Sequence, residues 1–363
     1  MKTEEKIKIA VIGAKGFPAW GGAARSNESI LLRLKDKYDI TIYAMNTHAN
    51  QTYYKGIKQI IFKVYGGQKI RTFIYYIKST FHSLIKGNYD IIHVNHRAAG
   101  LIIPFLKLRF NVLLNIHGLG NLYDKHKWYE SIILNISQKI GIRLSDKIIT
   151  VQQGSVEILN KDNPGNVLFV PNGVDNNFKR ITKTDEKKYD LTFAAARIIY
   201  LKGLHTLFAA LNKVKFDGKV QIIGEIKDNS YKKYIEDLSI NIKPDYKGII
   251  KDRLLLFENI VQSKIFIFPS LSEGMSNMLL EVVSLKIPVI ASNIKQNTEV
   301  FNSDEILFFK CDDHEDLALK IIWALKNYDT MLLMAERAFE KIHKNHNWDN
   351  ISLLYDKIYQ GIK

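Results

Sequence analysis

The sequence contains very little cysteine: Cys311 is the single one among 363 residues. An internal disulfide is therefore excluded, and a reducing compartment is favoured. Long hydrophobic runs are also missing, because the nearest candidate, residues 98–116, is interrupted by Lys107 and Arg109. A membrane-spanning helix needs about 18 or more apolar residues in succession, so we expect a soluble or peripheral protein. Residues 1–8 are charged and lead directly into an apolar segment, which predicts that there is no signal peptide.

Acidic residues are scarce in the first half of the chain only. Residues 1–180 contain 26 Lys and Arg against 12 Asp and Glu, a net charge of +14. Residues 181–363 contain 26 against 25, a net charge of +1, which completes the +15 of the whole chain. A surplus confined to one half favours an anionic partner there, either nucleic acid or a membrane with phosphorylated lipids. Disorder is not expected, because 46% of the residues are hydrophobic.

Short apolar segments alternate with amphipathic ones along the whole chain. In the first half, strands are predicted at residues 7–12, 39–44, 60–64, 91–94, 112–116, 147–151 and 167–170, and helices at 25–37, 70–86, 101–108, 130–145 and 153–159. In the second half, strands are predicted at 191–196, 220–223, 249–250, 265–268 and 288–291, and helices at 204–214, 231–238, 254–262, 278–285, 317–326 and 331–343. This alternation predicts parallel sheets covered on both faces. Residues 176–190 are polar and are interpreted as a linker between two doubly wound units with a cleft between their strand ends.

The segment from Pro269 to Glu281 carries the most information. It is predicted to be a turn after a buried strand, followed by a helix, so Glu273 would lie at the sheet edge where open α/β sheets bind ligands. At about 1.5 Å per residue, Glu281 would lie roughly 12 Å further along, which suits the reach from a hexose across a diphosphate to a ribose. Apolar neighbours predict that Glu281 is buried, and ribose hydroxyls would give its charge a partner. The alternative is a solvated glutamate at a helix start and another in mid-helix.

Two cations follow the strand at residues 191–196. Arg197 and Lys202 straddle a strand-to-helix turn, an arrangement that suits a diphosphate, although both could be merely solvated. Further on, the acidic residues 312–316 could bind a divalent ion, but the acidic first turn of the next helix is the favoured interpretation.

The first strand is followed by a glycine-rich turn, residues 13–22, that ends in Gly21 and Gly22. Glycine allows the backbone to approach a ligand closely, but the turn lacks the dinucleotide fingerprint, which disfavours a nicotinamide-dependent oxidoreductase. His117 ends another strand and would face the same edge, unless it is a structural histidine. With His93 and His96 it could form a metal site, but no acid or cysteine accompanies them, so no metal is predicted.

In their order along the chain, these motifs resemble the retaining GT-B glycosyltransferases of family 4. The similarity covers nearly the whole chain and includes the turn at Gly21-Gly22, His117-Gly118, residues 145–151, residues 171–175, Arg197 with Lys202-Gly203, and Glu273 with Glu281. The region from Trp348 is similar to the family's last helix, which returns to the first domain. The resemblance implies the GT-B fold, in which two Rossmann-like doubly wound domains face each other across a cleft. Residues 1–178 with helix 346–363 would form the acceptor-side domain, and residues 179–345 the donor domain.

The resemblance also implies a role for each candidate. Glu273 would bind hydroxyls of the donor sugar, Glu281 would hold the ribose, and His117 would contact the donor sugar. The catalytic set would be His117, Glu273, Arg197 and Lys202. The donor-binding set would be Gly21, Gly22, Arg197, Lys202, Glu273, Gly274, Met275, Ser276 and Glu281. Transfer would proceed with retention, the leaving phosphate would take the acceptor proton, and neither a metal nor another cofactor nor a protein general base would be needed.

Two departures from the family pattern affect the last loops. Lys286 stands where the family usually has glycine, and Lys295-Gln296 replace the usual glycine pair before a late glutamate, here Glu299. A different sugar or phosphate is therefore expected in that loop. In the first turn, residues 23–25 replace the usual Phe-Glu-Thr, so the acceptor chemistry is expected to differ as well.

The first domain of this fold commonly receives the acceptor, so the basic charge of the first half is interpreted as a feature that binds the acceptor or its membrane. Residues 69–78 and 104–110 mix aromatic, apolar and basic side chains that suit a membrane interface, although sheet-covering helices with solvated lysines would look similar. The prediction is transfer of a hexose-type sugar from a nucleotide-diphosphate donor, a UDP-sugar by family frequency, to a lipid-diphosphate-linked or growing glycan in bacterial surface polysaccharide assembly. The protein would be cytoplasmic and peripheral on the inner face of the membrane. The alternatives are a GT-B enzyme of the nucleotide-sugar epimerase type and a basic nucleic-acid-binding protein, but no nucleic-acid module is recognisable and no nucleic-acid partner is predicted.

Overall fold

The computed structural model describes residues 5–19, 21–118, 128–175 and 186–363. They form two compact units, the first of Met1–Asn172 with Trp348–Lys363 and the second of Gly173–Asn347. The boundaries expected from the sequence, at residues 178 and 345, lie a few residues from these. Most of the predicted linker falls on residues 176–185, which lie outside the described part of the chain.

The first unit is built on one eight-stranded sheet. Its strands are β1 (Lys8–Lys15), β2 (Asp39–Met45), β3 (Tyr53–Tyr54), β4 (Ile57–Phe62), β5 (Ile91–Asn95), β6 (Asn111–Ile116), β7 (Lys147–Thr150) and β8 (Val167–Phe169). The order is β3-β4-β2-β1-β5-β6-β7-β8, and every pair is parallel except the β3–β4 hairpin. Ile9 and Val112 in the central strands are completely buried. Burial on both faces explains why these strands appear in the sequence as continuous apolar runs.

Five helices follow in the described part of this unit before the chain enters the second one. They are α1 (Gly22–Leu34), α2 (Gln68–Lys86), α3 (Ile103–Leu106), α4 (Trp128–Leu144) and α5 (Val156–Asn160), with short 3-10 helices at Arg97–Ile102 and Gln153–Ser155. The predicted helix at residues 101–108 is thus divided, and Pro104 lies in the first turn of α3. Proline is tolerated there because the first N–H groups of a helix have no partner within the helix.

The second unit is a six-stranded parallel sheet. Its strands are β9 (Tyr189–Arg197), β10 (Val220–Glu225), β11 (Asp245–Gly248), β12 (Ser263–Phe268), β13 (Val289–Ser292) and β14 (Leu307–Phe309), in the order β11-β10-β9-β12-β13-β14. Its helices are α6 (Leu204–Lys213), α7 (Asn229–Ser239), α8 (Arg253–Ile260), α9 (Asn277–Ser284), α10 (Lys295–Thr298), α11 (His314–Lys326) and α12 (Tyr328–Asn345), and a 3-10 turn, Tyr200–Lys202, precedes α6.

Two apolar cores lie on the two faces of this sheet, and β12 contributes to both. Phe266 and Phe268 pack with residues of α8 and α9, whereas Ile265 and Ile267 pack with residues of α6 and α11. Successive side chains of a strand point to opposite faces, so residues 265–268 of β12, with a core on each side, are all apolar.

The final helix, α13 (Trp348–Ile362), belongs to the first unit and packs against α1. The Lys37 ammonium lies 2.7 Å from the Asp356 carboxylate, and the Tyr38 hydroxyl donates to that carboxylate at 2.6 Å. The Asn115 amide donates to the Tyr355 hydroxyl at 2.9 Å. The chain therefore returns to its first unit after residue 347, as the resemblance implies.

Several local predictions were wrong. The strand expected at residues 249–250 lies at Asp245–Gly248, and β9 begins at Tyr189, inside the expected linker. Strands β3 and β14 and helix α10 are only two to four residues long, too short for a periodic pattern to indicate them. β1 continues to Lys15 and α1 begins at Gly22, so the first turn is shorter than the ten residues expected. Within the described ranges, no helix combines the length and the apolar content needed to cross a membrane.

Candidate functional site

In the second unit, the candidate residues lie at the carboxyl ends of β9 and β12. These strands are neighbours at the centre of the sheet, where the chain switches from building one half of the sheet to building the other. Open α/β sheets bind ligands in the crevice at this position, because the loops of the two strands diverge there. Arg197 is the last residue of β9, and Glu273 follows β12 in the turn before α9. The prediction that Glu273 lies in the turn, before the helix begins, is confirmed.

The two loops are held together by their backbones. The Leu271 N–H donates to the Leu201 carbonyl at 2.9 Å. Gly203 has a left-handed backbone, with φ of 69°, and a Cβ there would lie 1.9 Å from the Pro269 carbonyl oxygen. Only glycine permits this contact without strain. The Lys202-Gly203 motif therefore has a structural reason, since the glycine lets the loop that carries Lys202 lie against the loop that carries Glu273.

Lys202 and Glu273 form an ion pair in this structure. Their Nζ and Oε1 atoms are 2.5 Å apart, and the side chains are 27% and 11% exposed. Both groups are thus partly withdrawn from water, where an ionic hydrogen bond is stronger than at the surface. The contact confirms that these two predicted residues lie together.

Glu281 is buried, as predicted, but its partner was not predicted. Its Oε1 atom lies 2.5 Å from an Nη2 atom of Arg253, the first residue of α8, and the carboxylate side chain is 8% exposed. A charge so withdrawn from water needs a partner, and Arg253 provides one that the sequence did not predict. The contact with ribose hydroxyls stays a prediction. The guanidinium also stacks 4.8 Å from the ring centre of Phe257, and its Nη1 atom is buried without a hydrogen bond among the described residues.

Sequence reasoning missed Arg253 because it lies in a different element from Glu281. The signal that existed was the pair Asp252-Arg253: Asp252 accepts a hydrogen bond from the Leu255 N–H at 3.0 Å and caps α8. Capping by an aspartate indicates where a helix starts, but it does not indicate which neighbouring helix the next side chain contacts.

The remaining donor-side candidates surround the start of α9. Gly274, Met275 and Ser276 are half-buried and complete the turn, and the Ser276 hydroxyl caps the helix by accepting from the Leu279 N–H at 3.4 Å. A helix start of this kind favours negative charge. Arg197 is exposed at the end of its strand.

In the first unit, the corresponding position in the sheet lies between β1 and β5. A Cβ on Gly13 would lie 2.1 Å from the Asn95 carbonyl oxygen, so the turn after β1 packs directly on the end of β5. The Gly13 N–H donates to the Tyr75 hydroxyl, which donates to the Tyr43 carbonyl, both at 2.8 Å. Gly21 caps α1 with φ of 93° and has open space around it, and Gly22 is the first residue of that helix.

His117 follows β6 and is held in its neutral form. Burial, with a smaller contribution from the charge of His96, lowers its pKa to about 4. Burial likewise lowers the pKa of His93 to about 3, with a contribution from His117. Within the described residues, the Nε2 atoms of His93 and His117 have no hydrogen-bond partner, while the His93 Nδ1 atom lies 2.8 Å from the Tyr359 hydroxyl. Neutral imidazoles can donate or accept a hydrogen bond but contribute no charge at neutral pH.

Two asparagines near these histidines were also missed by sequence reasoning. Asn95 and Asn115 are paired residues at the ends of β5 and β6, and both are buried. Both side-chain polar atoms of Asn95 and the Oδ1 atom of Asn115 lack a partner among the described residues. The available signal was an asparagine at or next to the carboxyl end of each of two mostly apolar strands. Both asparagines lie near the histidines in a buried, uncharged polar region.

Neither metal hypothesis gains support from the described residues. No group of three His, Cys, Asp or Glu side chains in these ranges is arranged to hold a metal ion. Asp313 caps α11 by accepting from the N–H groups of Glu315 and Asp316, at 3.1 and 3.0 Å. The acidic run at residues 312–316 is therefore the start of a helix, which is the interpretation that the sequence favoured.

The GT-B class of glycosyltransferase folds has two doubly wound units in one chain, each built on a mainly parallel sheet, and a last helix that returns to the first unit. A solved structure of this class, Anabaena Alr3699/HepE in complex with UDP and glucose, matches with a TM-score of 0.80 at 16% identity, over 98% of this chain and 100% of that one. Two family models match successive stretches: Glycosyltransferase Family 4 at residues 20–178 and Glycosyl transferases group 1 at residues 174–341. The chain belongs to this family of transferase enzymes, the group 1 or family 4 glycosyltransferases.

Two curated relatives match this chain over part of their length. The capsular polysaccharide biosynthesis glycosyltransferase CapM of Staphylococcus aureus is 23% identical over 61% of this chain and 63% of its own length. The UDP-Gal:alpha-D-GlcNAc-diphosphoundecaprenol alpha-1,3-galactosyltransferase of Escherichia coli is 28% identical over 60% of this chain and 62% of its own length. The matched region thus spans less than two thirds of each relative.

Proposed function

We propose that this protein transfers a hexose-type sugar, with retention of configuration, from a UDP-sugar to a lipid-diphosphate-linked or growing glycan of the bacterial surface. The observation that carries the proposal is the contact between Lys202 and Glu273 at the centre of the second sheet. This contact supports the proposal because Lys202, which would bind a phosphate, lies beside Glu273, which would bind sugar hydroxyls. Their loops are joined by the hydrogen bond between Leu271 and Leu201.

The chemistry assigned to these residues needs charge stabilisation more than acid–base catalysis. When the sugar leaves the diphosphate, negative charge develops on the departing phosphate oxygen. Lys202, Arg197 and the start of α9 would stabilise that charge, and groups already in position lose little energy in reorganisation. The leaving phosphate would accept the proton of the acceptor hydroxyl, so no protein general base is assigned. Metal independence is part of this proposal.

The donor and acceptor are proposed from the relatives. The Escherichia coli relative is described by its UDP-galactose donor and its diphosphoundecaprenol-linked acceptor, and the Staphylococcus aureus relative by capsular polysaccharide biosynthesis. The Anabaena structure contains UDP and glucose. These descriptions favour a uridine nucleotide and a polyprenyl-diphosphate glycan here, used by a peripheral protein at the cytoplasmic face of the membrane.

A comparison of thermal shifts with UDP, GDP, ADP, CMP and dTDP tests the donor site, because a ligand of the native state raises the unfolding temperature by mass action. UDP is expected to give the largest shift. Lys202→Met should reduce the affinity for UDP by about tenfold or more, since a hydrogen bond to a charged group contributes about 1.5–3 kcal/mol, and should leave the affinity for uridine unchanged. Lys213→Met is the matched control, because Lys213 lies in the last turn of α6 in an exposed pair with Glu315.

Transfer itself is tested with a labelled UDP-sugar and polyprenyl-diphosphate glycans, with and without a metal chelator, and NMR of the product gives its anomeric configuration. A retained anomer formed in the presence of chelator supports the proposal. Inversion, or equal UDP affinity for the Lys202→Met and Lys213→Met variants, contradicts it. Consumption of donor without any acceptor would instead indicate an enzyme of the epimerase type.

A further inference from the structure

Helix α2 carries five bulky apolar side chains on the face turned away from the core, while Ile74 and Leu84 are partly buried against it. Its buried residues all bear a hydroxyl group: Tyr75, Tyr76, Ser79, Thr80 and Ser83. Its exposed apolar residues are isoleucines and phenylalanines, between 39% and 72% exposed: Ile70, Phe73, Ile77, Phe81 and Ile85. We call these five exposed residues the α2 stripe. An ordinary surface helix has the opposite distribution.

The α2 stripe is continuous along the helix. Its members are three, four, four and four positions apart, and at about 100° per residue they lie within an arc of about 120°. The buried residues occupy the opposite side. The stripe therefore runs the length of α2 as one apolar surface in contact with water.

The orientation of α2 is fixed by hydrogen bonds of the buried face. The Tyr75 hydroxyl donates to the Tyr43 carbonyl and accepts from the Gly13 N–H, each at 2.8 Å. Rotating the helix to bury the α2 stripe would break the bonds of Tyr75 and expose its ring. The fold itself thus keeps the stripe at the surface.

The surroundings of the α2 stripe are strongly basic. Residues 40–89 contain seven Lys and Arg and no Asp or Glu. Four of these cations are on α2: Lys69, Arg71, Lys78 and Lys86. Lys69 is paired with Glu130 of α4. Lys78 donates a hydrogen bond to the Lys63 carbonyl, which is an uncharged acceptor.

Exposed apolar side chains also occur on α3 and on the 3-10 helix before it, which are two of the elements that pack against α2. Leu101, Phe105 and Leu108 are exposed on this segment, Leu108 at 80%. Lys107 and Arg109 alternate with them in the sequence. The same combination of exposed apolar and basic side chains is thus repeated beside the α2 stripe.

We propose that the α2 stripe inserts into the interfacial layer of an anionic bilayer, with Phe73 and Phe81 as its principal anchors and the cations of α2 on lipid headgroups. An amphipathic surface binds a membrane by burying apolar area and by attraction to anionic lipids, and the stripe offers both. The proposal rests on the proposed function in one respect, since a lipid-linked acceptor gives membrane contact its purpose.

The charge distribution favours a membrane over other occupants. A second copy of the chain would oppose one basic surface to another, which costs free energy. A nucleic acid would satisfy the cations but would leave the isoleucines of the stripe in contact with phosphates and water, because sequence-independent binding uses cationic and aromatic side chains.

The experiment is sedimentation of the full chain with vesicles of phosphatidylcholine alone or mixed with phosphatidylglycerol, at low and high salt. Wild type should bind the mixed vesicles, and salt should weaken binding. Phe73→Ser with Phe81→Ser should reduce the partition coefficient by about tenfold or more, since burying each ring contributes favourable free energy. Leu319→Ser with Leu333→Ser is the matched control, because these leucines of α11 and α12 are 66% and 62% exposed in the second unit.

A second variant reports insertion directly. Fluorescence of Phe73→Trp should be quenched by lipids with brominated acyl chains, whereas that of Leu319→Trp should not. Equal vesicle binding by the two serine pairs, or no quenching of Phe73→Trp, would overturn the proposal. So would tighter binding to an oligonucleotide than to anionic vesicles. The UDP-induced thermal shift should be the same for wild type and the Phe73 and Phe81 variants, and failure of that shift in wild type would count against the donor site, leaving the membrane surface intact.

Discussion

The ion pair between Arg253 and Glu281 gives the sharpest prediction about the second unit. Removing Arg253 takes an ion-pair partner away from a carboxylate side chain that is 8% exposed. Breaking one partner of a buried pair costs about 3–5 kcal/mol, and the lower value is expected here because the Arg253 side chain is 32% exposed. For a unit of this size, 1 kcal/mol corresponds to about 2–4 °C in the unfolding temperature, so Arg253→Met should lower it by about 6–12 °C.

The measurement is thermal unfolding of the full chain without nucleotide, followed by circular dichroism. Arg337→Met is the matched control, since Arg337 lies 3.6 Å from Asp304 in a pair whose side chains are 48% and 64% exposed. Exposed pairs contribute about 0–1 kcal/mol, so this variant should change the unfolding temperature little. If both arginine variants unfold at the same temperature, the pair is not buried as described.

A double-mutant cycle tests whether the cost arises from the pair itself. Glu281→Gln removes the charge that needs compensation, so Arg253→Met should cost less in the Glu281→Gln background than in wild type. A coupling free energy of at least about 1 kcal/mol is expected for groups in direct contact. Additive effects of the two substitutions would refute the interpretation.

The same variants test the proposed ribose contact. If Glu281 accepts hydrogen bonds from ribose hydroxyls, wild type should bind UDP about 10- to 100-fold more tightly than the 2′- or 3′-deoxy nucleotide, because a hydrogen bond to a charged group contributes about 1.5–3 kcal/mol. Both variants should lose this discrimination, since Arg253 holds the carboxylate in place. A ratio that stays unchanged in Glu281→Gln would rule out the ribose contact, whatever the effect on stability.

Three further predictions concern other positions. Gly203→Ala should destabilise the second unit and weaken UDP binding far more than Gly248→Ala, measured by thermal unfolding and titration, because both glycines have positive φ but a Cβ has no room only at the first. His117 should destabilise the first unit as the pH falls, because its pKa is about 4 in the folded state and near 6.5 in the unfolded state. Between these two pH values the unfolded state binds more protons. The stability that is present above pH 6.5 is therefore lost as the pH approaches 4. In urea titrations between pH 7 and 5, His117→Gln should show a smaller loss than wild type, and an equal loss would contradict the prediction. Lys286→Gly should relieve a left-handed residue with φ of 56°, which costs about 1 kcal/mol for a non-glycine residue, but should lose the pair with Glu336. A change in the free energy of unfolding, measured by urea titration, larger than about 1 kcal/mol in either direction would contradict this balance.

The departure at Lys286 now has a structural description. The family's usual glycine suits a position where the backbone is left-handed after α9, and this chain places a lysine in the same conformation. Its ammonium lies 4.3 Å from the ring centre of Phe339 and contacts Glu336, both on α12. The sequence indicated the substitution, but the two partners on a distant helix could not be anticipated from it.

Periodicity predicted the long elements well and the short ones poorly. Residues 265–268 of β12 are buried on both faces and appear as an uninterrupted apolar run, whereas β5 includes the buried polar residues His93 and Asn95. β11 has exposed and half-buried residues, Asp245–Gly248, at the edge of its sheet. An edge strand of this composition has no apolar pattern, and the nearby isoleucines at residues 249–250 were mistaken for it.

The sequence by itself determined the class of fold, the order of the units and the loops that carry Lys202 and Glu273, because each of these depends on local patterns of a few residues. Only the tertiary structure decided which charges meet. Lys202 and Glu273 are brought together by the contact of Gly203 with Pro269, and Glu281 is paired with an arginine from another helix. It also decided that α2 turns its hydroxyl groups inward and its phenylalanines outward. The apolar pattern of α2 shows that the helix has an apolar face. Which face is buried is determined by the hydrogen bonds of Tyr75 with Gly13 and Tyr43 on the neighbouring strands.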